Sequence, residues 1–273
     1  MKYRWLLCSI FMFVSIFSLA QSKPPTYAYV SLDTVFMKKD TLDCSLVFYT
    51  PHNSRVSFTN QRPDSNYKDI ALSVACAFTA SNLRDVVGDY VCKGELYKHK
   101  SDGETGFCLI LKDTIIIDHL SDNAIVYKKI AQKNNGSYFQ QMLILKDGDT
   151  VECTIFRKQK PTFRRCLSIY NGRGVVIESV GRLSFEDFAN ALKEVGIKDA
   201  IYLDAGTWSE GFVRLKDKSI FSIGHLTHNT HRQTNWLRYI YRADKPLATK
   251  ALRMSNKHKP QKKKRPVSDT YIK

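Results

Sequence analysis

The segment Asp204-Ala205-Gly206-Thr207-Trp208-Ser209-Glu210-Gly211 places a carboxylate, several small residues and an indole ring close together. A carboxylate at the end of a buried strand is held rigidly, as a catalytic acid, base or nucleophile must be. The alternative is an aspartate that accepts backbone N–H bonds within its own turn. The small residues leave room for a substrate, and Trp208 offers a flat apolar face on which a sugar ring stacks. A second polar cluster runs Gly224-His225-Leu226-Thr227-His228-Asn229-Thr230-His231. Imidazoles titrate near neutral pH, which makes His228 a candidate acid or base, the alternative being an exposed polar loop. A His-x-x-His-x-x-His spacing on a loop or strand does not converge on a metal ion, and the cysteines lack ligand spacing, so neither metal nor cofactor is expected.

Asp204 must be positioned by what precedes it. Ser184 followed by Asp187 is a capping-box pattern, Gly196 is a helix-ending residue, and Phe185, Phe188, Ala189, Leu192 and Val195 share one stripe of the helix between them. Strands are predicted on either side, at 175–178 and 200–203, which makes a βαβ unit with two parallel strands and a right-handed crossover. Elsewhere the chain alternates short runs rich in β-branched and aromatic residues with turn residues: 44–49, 107–111, 114–117, 141–145 and 151–156 read as strands. Lys112-Asp113, Asp147-Gly148-Asp149 and above all Asn171-Gly172 read as hairpin turns. The expected fold class is α+β, a mixed, mostly antiparallel sheet with one βαβ unit near the C-terminal half.

The ends define the rest. Lys2 and Arg4, the apolar run Trp5–Phe17 and Ser18-Leu19-Ala20 form a cleavable signal peptide over 1–20, because the run is shorter than the roughly 20 residues that a spanning helix needs. The expectation is an exported, periplasmic or extracellular protein with no transmembrane span in the mature chain. Without Lys2 and Arg4 the net charge falls from +16 to +14, and six cysteines remain. Their positions inside apolar runs favour buried free thiols over a disulfide framework. Residues 246–273 are poor in apolar side chains and carry Lys262-Lys263-Lys264-Arg265, a basic disordered tail that is either simply solvated or an arm for an anionic envelope surface. No zinc-finger, RNP or helix-turn-helix pattern is present, so nucleic acid is not an expected partner. Residues 21–245 are left as one globular domain.

Within that domain, Gly196-Ile197-Lys198-Asp199-Ala200-Ile201-Tyr202-Leu203-Asp204-Ala205-Gly206-Thr207-Trp208 resembles the C-terminal signature of the phosphodiester glycosidase family. Ser73–Phe78, Phe139-Gln140-Gln141, Leu143–Gly148, Arg164-Arg165-Cys166-Leu167 with Asn171-Gly172, and His231–Leu237 are similar to further family segments in the same order. The resemblance covers about residues 70–242. It departs in two places: the family's early Asn aligns with Ala75, and its glycine-rich loop is reduced to Ala205-Gly206-Thr207-Trp208.

The resemblance implies hydrolysis of the bond between a sugar's anomeric carbon and a phosphodiester oxygen, in a glycan or cell-envelope polymer. Asp204 would stabilise or attack the positive anomeric centre. Arg165 and Arg232 would clamp the phosphate, with Arg164 as an alternative facing the other side of its strand. Asn229 and Asn235 would orient sugar hydroxyls, and Gly206 and Trp208 would complete the substrate site. Two other readings stand beside the hydrolase: a relative without catalysis that binds glycan or envelope components in the same cleft, and a basic structural protein held to anionic surfaces by its tail.

Overall fold

The computed structural model describes residues 27–39, 42–101, 103–112, 114–121, 123–152, 159–206, 209–224 and 230–242. The expected signal peptide at 1–20 and the basic tail at 246–273 lie outside the described residues. In chain order the elements are β1 (Tyr29–Lys39), β2 (Leu42–His52), β3 (Ser54–Thr59), β4 (Ile70–Ala75), β5 (Tyr90–Cys92), β6 (Glu95–Tyr97), β7 (Gly106–Ile110), β8 (Ile115–His119), α1 (Ala124–Lys133), β9 (Ser137–Gln141), β10 (Leu143–Lys146), β11 (Asp149–Thr150), β12 (Arg165–Tyr170), β13 (Arg173–Ser179), α2 (Phe185–Glu194), β14 (Ala200–Leu203), β15 (Glu210–Arg214), β16 (Ile220–Gly224) and β17 (Trp236–Tyr241), with a 3-10 turn at Thr230–Arg232 before β17.

These strands form three sheets. The first has the order β1-β2-β13-β12-β14-β10-β11, the second β16-β15-β4-β17-β3 and the third β6-β5-β9-β7-β8, and every neighbouring pair is antiparallel. This overturns the α+β expectation: the fold is largely β, with two ten-residue α-helices among the described residues. The expected βαβ unit is also modified. β13 and β14 run in the same direction, but each pairs antiparallel with β12, which lies between them. The reason is the neighbouring hairpin. Asn171 and Gly172 both adopt positive φ, 48° and 73°, as a two-residue hairpin turn requires, so β12 folds back onto β13 and takes the place a parallel partner would need.

Side-chain alternation assigns the layers. The inner faces of all three sheets meet in one core that includes Leu167, Val176 and Ile201 from the first, Leu72, Val213 and Tyr239 from the second, and Cys108, Ile117 and Phe139 from the third. Sheet-on-sheet packing therefore supplies most of the interior. The outer face of the first sheet is covered by α2. The Ser184 hydroxyl accepts the Asp187 N–H at 3.0 Å, Gly196 has φ 80° just beyond the helix, and Phe185, Phe188, Ala189, Ala191 and Leu192 are buried. Burial of side chains such as Phe188 and Leu192 contributes about 2 kcal/mol each. α1 covers the other face of the third sheet through Ala124 and Ala131.

β11 ends at Thr150, earlier than the strand expected over 151–156; the Val151 N–H still bonds the Ile144 carbonyl at 2.9 Å, and 153–158 lie outside the described residues. Cys44, Cys76, Cys92, Cys108 and Cys166 are free thiols, all but Cys44 buried. Among the described residues no helix is long and apolar enough to cross a membrane.

Candidate active site

Asp204 follows directly on β14, whose four residues are all buried, so its position is set by the core rather than by the loop. Its N–H donates to the Cys76 carbonyl at 2.8 Å, which joins the first sheet to the end of β4. Its carboxylate Oδ1 accepts the Gly206 N–H at 2.8 Å, and only 9% of the residue is exposed. Burial pushes the carboxyl pKa above the usual aspartate range; the Gly206 N–H and the Arg165 charge pull it the other way without cancelling the effect.

Arg165 opens β12 directly across from both Leu203 and Glu178, and it is wholly buried. Nη1 donates to the Asp204 carbonyl oxygen at 3.2 Å and Nη2 to Glu178 Oε1 at 3.0 Å. Burial disfavours the guanidinium charge, yet the Glu178 carboxylate, together with Tyr49 and Asp204, more than offsets this and the pKa is raised. Glu178 Oε2 in turn accepts the Tyr49 hydroxyl at 3.2 Å, and that phenol is pushed up by burial and by the Glu178 charge. The result is a chain from Tyr49 through Glu178 and Arg165 to the main chain of Asp204. Arg164 faces the other side of the sheet, where Nε donates to the Leu183 carbonyl at 3.2 Å and the guanidinium lies 5.9 Å from the Tyr202 ring centre.

Asn235 is wholly buried beside the same strand end. Its Oδ1 accepts the Ala77 N–H at 2.7 Å and its Nδ2 donates to the Ala77 carbonyl at 2.9 Å. The side chain continues the sheet pairing where β4 stops, one residue beyond the Cys76 carbonyl that holds Asp204. Gln233 extends this support: Oε1 accepts the Glu210 N–H at 2.9 Å and Nε2 donates to the Asn235 carbonyl at 3.3 Å. Arg232 is half-buried in the 3-10 turn that leads into these residues.

The structure therefore brings Asp204, Gly206 and Arg165 together and places Asn235 behind them as a backbone clamp. Trp208, His228 and Asn229 lie outside the described residues. Glu178 and Tyr49 were not anticipated from the sequence. Glu178 is legible in retrospect, because a two-residue turn at Asn171-Gly172 fixes the hairpin register and sets it opposite Arg165. Among the described residues, the buried atoms Arg165 Nε, Gln141 Nε2 and Ser209 Oγ have no hydrogen-bond partner. Each such atom costs about 1–3 kcal/mol, and local violations of this kind concentrate at functional sites.

No family model matches the chain, and no curated protein matches it. Among solved structures, it is similar to the catalytic domain of zebrafish N-acetylglucosamine-1-phosphodiester alpha-N-acetylglucosaminidase, auto-inhibited by its pro-peptide. That likeness has TM-score 0.54 and 14% identity and covers 81% of this chain and 85% of that one. A hypothetical protein from Synechocystis matches with TM-score 0.48 and 10% identity over 82% of this chain and 65% of that one. At such identities the first likeness shows a shared fold and a distant structural relationship.

Proposed function

We propose that the chain is an exported hydrolase that cleaves the glycosidic bond of a sugar-1-phosphodiester in a glycan or cell-envelope polymer. The observation that carries the reading is Asp204: a nearly buried carboxyl at the carboxyl end of a core strand, with its pKa raised by burial and its main chain gripped by Arg165. The fold shared with a phosphodiester glycosidase catalytic domain supports it.

The chemistry follows from charge. As the bond from the anomeric carbon to the phosphate oxygen breaks, its electron pair leaves with the phosphate and positive charge grows on the sugar. A carboxylate that is poorly solvated gains most when a cation forms beside it, so the ionised Asp204 stabilises or attacks that centre. A phosphate leaves readily without a strong acid but needs a cation, and Arg232 is the arginine assigned to it. Arg165 is a positioning residue, since its Nη1 and Nη2 are committed to Asp204 and Glu178. His228 is assigned the proton transfer that activates water.

The second reading, a relative without catalysis that binds glycan in the same cleft, is favoured by the bond from Gly206 N–H to Asp204 Oδ1, the turn-stabilising role that needs no substrate. A panel of sugar-1-phosphate diesters separates the two. Release of free sugar by the mature chain supports the hydrolase; saturable binding of the same compounds with no release by folded protein supports the binder.

A further inference from the structure

A cavity of about 510 Å³ lies at one end of the second sheet, lined by Tyr27, Lys68, Asp69, Arg214, Lys218 and Tyr241. Arg214 closes β15 at the end away from Glu210 and the Asp204 loop, and Tyr241 closes β17. Tyr27 precedes β1, Lys218 sits in the β15–β16 turn, and Lys68 and Asp69 lead directly into β4. Bonds between these segments fix the walls. The Tyr241 N–H donates to the Asp69 carbonyl at 2.6 Å, and the Tyr27 hydroxyl donates to the Lys216 carbonyl. The second bond holds the turn, whose Lys218 ammonium lies 5.3 Å from the Tyr27 ring centre.

Arg214 is the residue that points to a ligand. It is only 7% exposed, so its guanidinium has largely left water. Nε donates to the Ile70 carbonyl at 3.2 Å, and Nη2 donates to those of Ser65 at 2.6 Å and Tyr67 at 3.2 Å. Nη1 makes no hydrogen bond among the described residues and is not sealed from solvent. Carbonyls satisfy N–H groups but carry no net charge, and no carboxylate pairs with Arg214, Lys68 or Lys218 among the described residues. A nearly buried cation without a counter-ion is costly, and an anion in the cavity relieves that cost. Three cations against the one carboxylate of Asp69 leave the lining with a net charge of +2. A phosphate monoester, with a charge of about −2 at neutral pH, matches that excess where a carboxylate does not. The remaining walls are the rings of Tyr27 and Tyr241, surfaces on which a flat ring stacks.

We propose that this cavity binds a phosphate monoester carrying an aromatic ring, as a mononucleotide does, with the phosphate on Arg214 Nη1, Lys68 and Lys218 and the ring on Tyr241. A cavity of this size suits such a ligand, since small-molecule pockets run from roughly 300 to 1,000 Å³. The site lies apart from Asp204 and does not depend on its chemistry.

Calorimetric titration of the full chain with adenosine 5′-monophosphate, adenosine and inorganic phosphate tests the proposal. The monophosphate binds more tightly than adenosine or phosphate alone. Lys68 and Lys218 are exposed, so their replacement leaves the fold intact, and Lys68→Gln with Lys218→Gln weakens the monophosphate about tenfold or more. Asp69→Asn removes the one opposing charge and keeps the main-chain bond to Tyr241, so it tightens binding about twofold. Asp204→Asn leaves the affinity unchanged. Absence of binding, a monophosphate no tighter than inorganic phosphate or adenosine, indifference to the lysine pair, weaker binding in Asp69→Asn, or loss of binding in Asp204→Asn would each overturn the assignment.

Discussion

Arg165 grips Asp204 by its main chain: Nη1 donates to the Asp204 carbonyl oxygen at 3.2 Å, while the carboxylate Oδ1 accepts from Gly206 N–H instead. The cation therefore fixes where the loop leaves β14 without fully neutralising the acid it carries. The carboxyl stays raised by burial, so its ionised form is strained enough to respond when a positive centre forms nearby.

The Arg165–Glu178 pair should be structural. Removing one member of a buried pair leaves an uncompensated charge, so Arg165→Met destabilises the fold by about 3 kcal/mol. In the double variant Arg165→Met with Glu178→Met, most of that loss is recovered. Urea denaturation of the wild type and the two variants measures both effects.

Asn235→Ala removes both bonds to Ala77 and leaves a buried N–H and C=O without partners. The expected cost is about 3 kcal/mol, from two groups at about 1–3 kcal/mol each. A loss under 0.5 kcal/mol, the scale of a neutral surface change, would show that the clamp is dispensable.

Gly206→Ala acts on the acid rather than on the fold. A Cβ at this glycine would sit 3.0 Å from Asp204 Oδ1, so the carboxylate must shift. Misplacement of a reacting group costs roughly ten- to a hundredfold in rate. Turnover should fall by that order while the melting temperature stays close to that of the wild type.

Much of this was legible in the sequence. The Ser184 cap, the apolar stripe and Gly196 specify α2 locally, and Asn171-Gly172 specifies its hairpin and with it the pairing of Arg165 with Glu178. Fold class was not legible, because the capped helix between Ser184 and Gly196 suggests α+β while the competing sheets declare themselves only by tertiary pairing. β1 shows why: its Leu32 and Phe36 are exposed on an edge hairpin, which blurs the alternation that marks a half-buried strand. α1 has no side-chain cap at Asn123, and its buried residues are two alanines, which carry little hydrophobic signal. In the sequence the resemblance points Asn235 at a sugar hydroxyl; a buried amide that completes a sheet edge, as found here, looks identical in one dimension.

Burial of Asp204 also gives a pH signature. Because its folded-state pKa is raised, its contribution to stability is full below the ordinary aspartate pKa and is lost as pH rises through the folded value. Asp204→Asn removes the buried charge and keeps an acceptor for Gly206 N–H. It should therefore raise the melting temperature at pH 7 and change it little near pH 3. A uniform shift at both pH values would mean that the ionised carboxylate is not the penalised species.

The most direct test is turnover of a sugar-1-phosphate diester by wild type and by Asp204→Asn, each shown to be folded. The account predicts sugar release by the wild type and a fall of about a hundredfold or more in the variant, whereas equal turnover by the two proteins would contradict the assignment of Asp204 as the reacting carboxyl.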